Sequence, residues 1–297
     1  MSAVTIAIPF ANAASWLPGA IRSVFAQTFT DWELLLVDDG STDGSLTTAK
    51  AVTDPRVCVI SDGMNRGLSA RLNQIAGLAQ SPLLARMDAD DLMHPQRLQR
   101  QIAYLSAHPE TDLVCTAMAV LDGEDSVTGI RYVSPAGFNR RTALRRSILT
   151  HATVTGRTDW FRQHRYNEAL DRAEDQELWF RTVGQSSFAA LDEPLYFCRD
   201  HCAGVSPKYR ASCRASRQIL LREGPAVVGW PSTLGLVAAS YSKQWIYGFA
   251  AASGREHLVQ GRRNQPVSNA MRIEIERALS QIGRTPVPGF EAAEVTR

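Results

Sequence analysis

Three aspartates, Asp88, Asp90 and Asp91, lie within four consecutive residues of the stretch LLARMDADDLMHP. Carboxylates this close repel one another and raise each other's pKa unless a cation joins them. Such oxygen ligands suit Mg²⁺ or Mn²⁺, and an ion of this kind usually also binds phosphate oxygens of a substrate. One aspartate could cap the helix that Pro95 favours, but three are not needed for that task. The cluster therefore predicts a divalent cation that bridges the protein to a phosphorylated ligand.

A second acidic stretch, DDGSTDGS, directly follows the apolar run ELLLV and contains Asp38, Asp39 and Asp43. One interpretation is a polar turn in which Asp43 caps a helix, because Asp, Gly and Ser favour turns and helix N-termini. The other interpretation is a ligand contact, since the stretch begins where a strand would end. The residues alone leave both interpretations open.

A third acidic stretch, RAEDQELWFR, spans 172–181 and places Asp175 near the predicted start of a helix. The partial positive charge of a helix N-terminus stabilises an anionic side chain there. These residues could form an ordinary first helical turn. Alternatively, Asp175 is a general base that removes a proton from a nucleophile, which is a common task of carboxylates in enzymes.

The elements that must position these residues alternate between strand and helix. Apolar runs of strand length are VTIAI at 4–8, ELLLV at 33–37, VCVI at 57–60, LLARM at 83–87 and DLVCTAMAV at 112–120. Helical spacing of apolar residues lies between them, over 14–26, 44–52, 65–79 and 95–108. This alternation predicts an α/β fold with a mostly parallel, twisted sheet flanked by helices. Such sheets bind ligands at the carboxyl ends of their strands, where the first two acidic stretches fall.

Length and composition indicate a globular protein. The chain has 297 residues, of which 44% are hydrophobic and 21% are charged, which suits one large α/β domain or a domain with an appendage. No uncharged apolar run reaches about 18 residues. The opening residues, MSAVTIAIPF, resemble a strand rather than a signal peptide. Because the five cysteines are irregularly spaced and suit reduced thiols, we expect a cytoplasmic protein.

The charge is unevenly distributed along the chain. Residues 205–297 carry 13 Lys and Arg against 6 Asp and Glu, whereas residues 1–204 carry 19 against 24. We therefore divide the chain into a domain over 1–204, with halves at about 1–120 and 121–204, and a basic, helical C-terminal region over 205–297. The acidic front argues against nucleic-acid binding as the main role.

Aromatic residues are concentrated in the C-terminal region, at Trp230, Tyr241, Trp245, Tyr247 and Phe249. One interpretation is a helical appendage that packs these side chains on the first domain or on a second copy of the chain. The other is a peripheral contact with the inner face of a membrane, in which aromatic side chains enter the headgroup region and basic side chains meet anionic lipid. The basic side chains concerned are Arg210, Arg214, Arg217, Lys243, Arg262 and Arg263.

Three blocks of the sequence, at 4–45, 65–101 and 151–182, together resemble the family 2 glycosyltransferases. The first block is similar to their nucleotide-binding segment, the second to the segment that ends in their D-x-D motif, and the third to their acceptor-side region with its E-D motif. The resemblance runs over about 3–204. It implies a GT-A fold, to which the chain adds the helical C-terminal region.

The resemblance also implies a role for each matching residue. Implied nucleotide-binding residues are Pro9, Asn12, Asp39, Arg71 and Asp88. Implied metal ligands are Asp90, Asp91 and, from the later stretch CRDHCAGVS, His201. The implied general base is Asp175, with Glu174 as the second candidate.

Within the implied nucleotide site, Asp39 would accept a hydrogen bond from a uracil-like imide. Arg71 would lie near the base or the diphosphate, and Asp88 would hold the ribose. The chain departs from the family at Ala11, where an aromatic residue often stacks on the base, and Phe10 stands one residue earlier. This departure leaves the identity of the base open.

The activity that the resemblance implies is hexosyltransferase-type: one sugar moves, with inversion, from a nucleotide sugar such as a UDP- or dTDP-sugar to a hydroxyl acceptor. Mn²⁺ or Mg²⁺ would be the cofactor. The acceptor would be a glycan, a lipid-linked sugar or a small molecule, in cell-envelope or surface glycan synthesis. The chain lacks the Q-x-x-R-W motif of processive synthases, which favours single-sugar transfer.

Two other functions stay open at this point, and a homo-oligomer is compatible with each. A metal-dependent nucleotidyltransferase would also need clustered carboxylates, but PFANAASWLPG contains no Lys or Arg for a phosphate loop. A catalytically inactive module that only binds a nucleotide sugar would keep the same fold. Product analysis separates them, because sugar transfer releases a nucleoside diphosphate and nucleotidyl transfer releases pyrophosphate.

Overall fold

The structure, a computed structural model, describes residues 1–199, 207–253 and 264–290. Its first half contains the strands β1 (Val4–Phe10), β2 (Trp32–Asp38), β3 (Val57–Ile60) and β4 (Leu83–Arg86). These strands are parallel and lie in the order β3-β2-β1-β4. The connecting helices are α1 (Leu17–Phe25), α2 (Ser45–Ala51) and α3 (Leu68–Leu78). The predicted alternation of strands and helices is confirmed here, with bounds close to those of the apolar patterns.

Helices cover both faces of this parallel half. Every residue of β1 is buried, as expected for a strand with no face open to water. Because successive strand residues point to opposite faces, Ile6 and Ile8 share one apolar cluster with Leu17 of α1, whereas Ala7 belongs to a second cluster with Leu72 of α3. The carboxyl ends of β1, β2 and β4 therefore lie along one edge of the sheet.

The second half of the sheet is mixed. It contains β5 (Leu92–Met93), α4 (Arg97–Ala107), β6 (Leu113–Leu121), β7 (Val127–Arg131), α5 (Arg140–Ala143), β8 (Thr155–Arg157), α6 (Thr158–Gln163), α7 (Glu174–Thr182) and β9 (Phe188–Arg199). The order continues as β4-β8-β6-β9-β5, and β7 pairs with β6. Only β6 and β9 are parallel in this half, and the other pairs are antiparallel. The sheet thus combines a parallel half with a mixed half.

The described part of the C-terminal region is helical, as predicted. It contains α8 (Pro207–Val228), α9 (Trp230–Ala252) and α10 (Asn269–Arg284). Ile219 and Leu220 of α8 join the apolar cluster of α7, whereas Ile275 and Ile282 of α10 join a cluster on β6 and β7. Residue Gln265 exchanges two backbone hydrogen bonds with Ile130 of β7, at 2.8 and 3.0 Å. None of the described helices combines the length and the apolar character that a bilayer crossing requires.

Candidate active site

The three clustered aspartates follow β4 at the carboxyl edge of the sheet. One carboxylate oxygen from each of Asp88, Asp90 and Asp91 lies within 4.8 Å of the others. Asp91 is only 4% exposed. Burial, followed by the charges of Asp88 and Asp90, raises the pKa of Asp91 well above its ordinary value. Three hard oxygen donors whose mutual repulsion a divalent cation would remove fit Mn²⁺ or Mg²⁺.

Residues of β4 and β9 hold this cluster in place. The guanidinium of Arg86 donates from both terminal nitrogens to the carboxylate of Asp88, at 2.6 and 3.0 Å. The Asp88 N–H donates to the Tyr196 hydroxyl at 3.1 Å. Arg199 donates its backbone N–H to Asp91 at 2.9 Å and its Nη1 to the Asp90 carbonyl at 3.2 Å. The aspartates are therefore positioned before any ligand arrives.

Arg86, Tyr196 and Arg199 were not singled out by the sequence interpretation. Arg86 lies inside the apolar run LLARM, and a buried arginine there could have been recognised as a partner for the aspartates that follow. Tyr196 and Arg199 come from a strand more than a hundred residues away, so only the pairing of β5 with β9 reveals them. The predicted metal ligand His201 lies outside the described residues.

The loops after β1 and β2 are tied to each other at Asn12. Its Oδ1 accepts a hydrogen bond from the Thr42 N–H at 2.8 Å, and its own N–H donates to the Ser41 hydroxyl at 3.1 Å. The residue adopts a left-handed conformation with φ of 51°, which Asn tolerates better than most residues. Asn12 is exposed beside the sheet edge, whereas Pro9 is buried within β1 opposite Val37.

Asp39 anchors the loop that leads into α3. Its Oδ1 accepts hydrogen bonds from the Arg66 N–H at 2.7 Å and from Arg71 Nε at 2.9 Å. Its Oδ2 accepts only from the Gly67 N–H, at 3.1 Å, among the contacts of the described residues. One carboxylate oxygen is thus occupied by the protein, and the other keeps room for a further donor. Asp43 meanwhile accepts from the Ser45 N–H at the start of α2, although the N-cap residue of that helix is Gly44.

Arg71, which the resemblance places near the base or the diphosphate, lies beside Asp39. It is fully buried, and its guanidinium donates to Asp39, to Asp62, to Gln74 and to the Met64 carbonyl. All five of its N–H groups therefore have acceptors within the protein, so none is left for a base or a diphosphate. Arg71 therefore positions Asp39 and the loop before α3, and its place near the base or the diphosphate stays a prediction.

The E-D pair begins α7. The half-buried Asp175 accepts a hydrogen bond from the Ser147 hydroxyl at 2.7 Å. Burial raises the pKa of Asp175, and the Ser147 hydroxyl together with the charge of Arg86 opposes this rise. Glu174 is more deeply buried; burial and then the charge of Asp175 raise its pKa. Glu174 Oε1 lies 3.7 Å from Nδ1 of His151, whose pKa burial lowers well below the ordinary value.

A cleft of about 1020 Å³ opens in front of Asp175. Its walls come from the segment after β7, the residues around Ser147, and the facing sides of α8 and α9. Of the E-D pair, Asp175 lines this cleft and Glu174 does not. The arrangement can therefore present a half-buried carboxylate with a raised pKa to a molecule held in the cleft, which suits a general base.

Comparison with known proteins agrees with this architecture. The model of the glycosyl transferase family 2 matches residues 5–190. EpsE of Bacillus subtilis (strain 168), which is named as a glycosyltransferase, is 33% identical over 205 residues, covering 66% of this chain and 73% of that protein.

Two solved structures have a similar fold. S. aureus TarS 1-349 in complex with UDP-GlcNAc is 19% identical with a TM-score of 0.59, covering 96% of this chain and 82% of that one. The mannosyltransferase PcManGT from Pyrobaculum calidifontis, in complex with GDP-Man and Mn²⁺, is 16% identical with a TM-score of 0.56, covering 95% and 86%. The predicted GT-A type α/β fold with a helical C-terminal region is thus confirmed. Since the family match extends over more than half of its length, the chain belongs to glycosyl transferase family 2 and is a glycosyltransferase.

Proposed function

We propose that the protein transfers one sugar from a UDP- or dTDP-sugar to a hydroxyl acceptor, in a metal-dependent reaction that inverts the anomeric carbon. The observation that carries this proposal is the pair of separate acidic sites. Asp88, Asp90 and Asp91 bring three carboxylate oxygens within 4.8 Å at the sheet edge. Asp175 faces a cleft of about 1020 Å³ in front of α7. One site suits a phosphorylated donor, and the other suits an acceptor.

The donor side is supported by the loops after β1, β2 and β4. The nucleotide base of the donor would lie against Pro9, Asn12 and Asp39, and its ribose would contact Asp88. Because Oδ1 of Asp39 already accepts from Arg66 and Arg71, only Oδ2 can take a further donor. A single acceptor oxygen suits the one imide N–H of uracil or thymine, whereas guanine offers two adjacent donors that need two acceptors. This geometry supports a uridine or thymidine donor.

The residues that would hold the metal are Asp90 and Asp91, and Mn²⁺ is present in the structure of the similar mannosyltransferase. When bound, the ion would neutralise the negative charge that builds on the leaving diphosphate. Other residues of the chain position these metal ligands. Arg86 donates to the Asp88 carboxylate, and Tyr196 and Arg199, both on β9, hydrogen-bond to the Asp88 N–H and the Asp91 carboxylate. Ligands fixed in this way need no rearrangement when the donor arrives.

The acceptor side is supported by Asp175 and its partner Ser147. A hydroxyl is a poor nucleophile until its proton is removed, and a positioned carboxylate contributes on the order of 10²–10⁴-fold to such a step. The Ser147 hydrogen bond orients the Asp175 carboxylate, and burial increases its affinity for the proton. A base on the acceptor side, separate from the metal cluster, supports direct displacement and hence inversion. The resemblance further favours an acceptor in cell-envelope or surface glycan synthesis.

Helix α9 supports a peripheral contact with an anionic membrane surface. Its outer side exposes large apolar side chains at helical spacing: Trp230, Leu234, Tyr241, Trp245 and Phe249. Trp245 and Phe249 are 78% and 73% exposed, so these aromatics do not pack on the first domain. We propose that this stripe enters the headgroup region.

The basic residues expected to meet lipid divide into three groups. Arg210 and Arg214 are exposed on α8, and Lys243 is exposed on α9. Arg217 is a correction: it is 8% exposed, its guanidinium lies 4.1 Å from the ring centroid of Tyr241, and it donates to Gln244 at 2.9 Å. It therefore joins α8 to α9 instead of facing outward. Arg262 and Arg263 lie outside the described residues.

A panel of nucleotide sugars, incubated with Mn²⁺ and scored for product, tests the proposed function. We expect release of UDP or dTDP from one uridine or thymidine donor, and NMR should show an inverted anomeric configuration in the product. Release of pyrophosphate would instead indicate a nucleotidyltransferase. Binding without turnover for every donor and acceptor would indicate an inactive binding module.

A further inference from the structure

The cleft in front of Asp175 has a strongly basic lining. Four cationic side chains contribute to it, Arg131 from β7, Arg145 and Arg146 from the segment after α5, and Lys243 from α9. Within the described part of the chain, Asp175 is the one acidic side chain in that lining. A cleft with this excess of positive charge raises the local concentration of anions above that in bulk solvent.

Arg145 and Arg146 are the two cations on which the inference depends. Both are exposed, and no ion pair among the residues that the structure describes involves either of them. They directly precede Ser147, whose hydroxyl donates to Asp175. Two arginines that line the same cleft as Asp175 thus have no carboxylate partner among the described residues.

The remainder of the cleft is large and partly apolar. The C-terminal helices contribute the apolar side chains of Leu220 on α8 and Leu236 on α9 to its wall, together with several serines. A volume of about 1020 Å³ accommodates a sugar together with a charged group, since clefts of roughly 300–1,000 Å³ hold ligands of drug size. The cleft therefore has room for an acceptor that is larger than a single neutral sugar.

We propose that the acceptor carries a phosphate group that Arg145 and Arg146 bind, so that its hydroxyl is presented to Asp175; this rests on the proposed transferase function. Arginine is suited to this task because its planar fork matches phosphate oxygens with two parallel hydrogen bonds. In the transfer step, the acceptor hydroxyl gives its proton to Asp175 and its oxygen bonds to the anomeric carbon of the donor. The bond from that carbon to the diphosphate breaks, and its electron pair leaves with the nucleoside diphosphate. The phosphate of the acceptor is unchanged.

Binding of simple probes to the full chain tests the proposal. The charged probes are farnesyl phosphate and glucose 1-phosphate, and the neutral controls are farnesol and methyl glucoside. Binding is measured by calorimetry in EDTA, so that no metal ion on the aspartate cluster can bind the phosphate probes. We expect the charged probes to bind and the neutral ones to bind far more weakly, with affinity falling as salt rises.

Variants locate the binding to this cleft. Arg145→Ala and Arg146→Ala should each weaken the phosphate probes roughly ten-fold, as expected for loss of one charge-assisted hydrogen bond. Arg146→Lys should recover part of that loss. Arg141→Ala is the matched control, because Arg141 is exposed on the preceding helix α5 but does not line the cleft, and it should leave binding unchanged. Thermal unfolding checks that each variant is folded.

The outcomes separate this inference from the proposed function. UDP binding with Mn²⁺ should be the same in all variants, since the donor site is distinct. If UDP fails to bind but the arginine-dependent phosphate binding persists, the donor proposal fails and the cleft proposal stands. Tighter binding of farnesyl phosphate than of glucose 1-phosphate supports a lipid-linked acceptor, and the reverse supports a soluble phosphorylated glycan. Equal binding of charged and neutral probes, or no effect of the double variant Arg145→Ala/Arg146→Ala, would overturn the inference.

Discussion

Replacing Ser147 by alanine tests the assignment of the base without removing the base itself. Burial raises the pKa of Asp175, and the Ser147 hydroxyl, donating at 2.7 Å, is the largest effect that opposes this rise. Ser147→Ala removes that donor, so the pKa of Asp175 should rise further. Because the base acts only when it is deprotonated, the acid limb of the pH profile of kcat should move to higher pH.

The magnitude follows from the hydrogen bond that is lost. A hydrogen bond to a charged group contributes about 1.5–3 kcal/mol, and each 1.4 kcal/mol changes a protonation equilibrium about ten-fold. At a pH below the midpoint of the limb, Ser147→Ala should therefore reduce kcat at least roughly ten-fold. On the alkaline plateau the loss should be much smaller, because there Asp175 is deprotonated in both proteins.

The assay is the pH dependence of nucleoside diphosphate release at saturating donor. Ser216→Ala is the matched control, since Ser216 lines the same cleft but donates to the neutral amide of Gln176, at 2.7 Å. Ser216→Ala should not change the pH midpoint of the acid limb. The free energy of unfolding gives a second readout. A folded-state pKa that is raised above the unfolded value stabilises the protein at low pH, and this stabilisation is lost as Asp175 ionises. Ser147→Ala should therefore lower the free energy of unfolding more at pH 8 than at pH 5. An acid limb that Ser147→Ala leaves unchanged would refute the role of Asp175 as base.

Four further predictions follow from the same geometry. Asp175→Asn should reduce turnover on the order of 10²–10⁴-fold while the Kd of the donor stays the same, measured by kinetics and calorimetry; a collapse of donor binding instead would make Asp175 a donor-side or structural residue. Asp91→Asn should abolish turnover yet raise the Tm in EDTA, because it relieves repulsion within the cluster; a lower Tm would contradict the charge argument. Arg71→Ala should lower the free energy of unfolding by on the order of 3 kcal/mol in urea titrations, because Asp39 loses a buried partner, whereas the exposed Arg66→Ala should have little effect. Trp245→Ser with Phe249→Ser should reduce sedimentation with anionic vesicles at low salt; if the unaltered protein also stays in the supernatant, the α9 stripe is an interface with a second copy.

The fold and the main acidic groups could be predicted because local signals in the sequence agree with one another. VCVI at 57–60 forms β3 with the same bounds, since a short apolar run flanked by polar residues is typical of a β-strand. Asp88, Asp90 and Asp91 meet at the end of β4 because adjacent positions after one strand cannot separate far. Asp175 stands in the first turn of α7 as its acidic context indicated.

The contacts that fix these groups could not be predicted, because they depend on pairings between distant segments. The backbone N–H of Arg199 in β9 donates to Asp91, and the guanidinium of the same residue pairs with Asp125 of the turn between β6 and β7. Arg71 is a polar residue on a helix, where a surface position is the ordinary expectation, yet it is fully buried because Asp39 and Asp62 satisfy it. The division of the chain at residue 204 stays a prediction.

The most direct test of the central claim is one titration of activity against divalent cation. The protein is incubated with a UDP- or dTDP-sugar and a phosphate-bearing acceptor, and release of the nucleoside diphosphate is followed as Mn²⁺ is added back after EDTA treatment. We expect no turnover in EDTA, recovery with Mn²⁺ or Mg²⁺, and no recovery in Asp91→Asn. Full turnover in EDTA, or full recovery of Asp91→Asn, would contradict a reaction organised by the aspartate cluster.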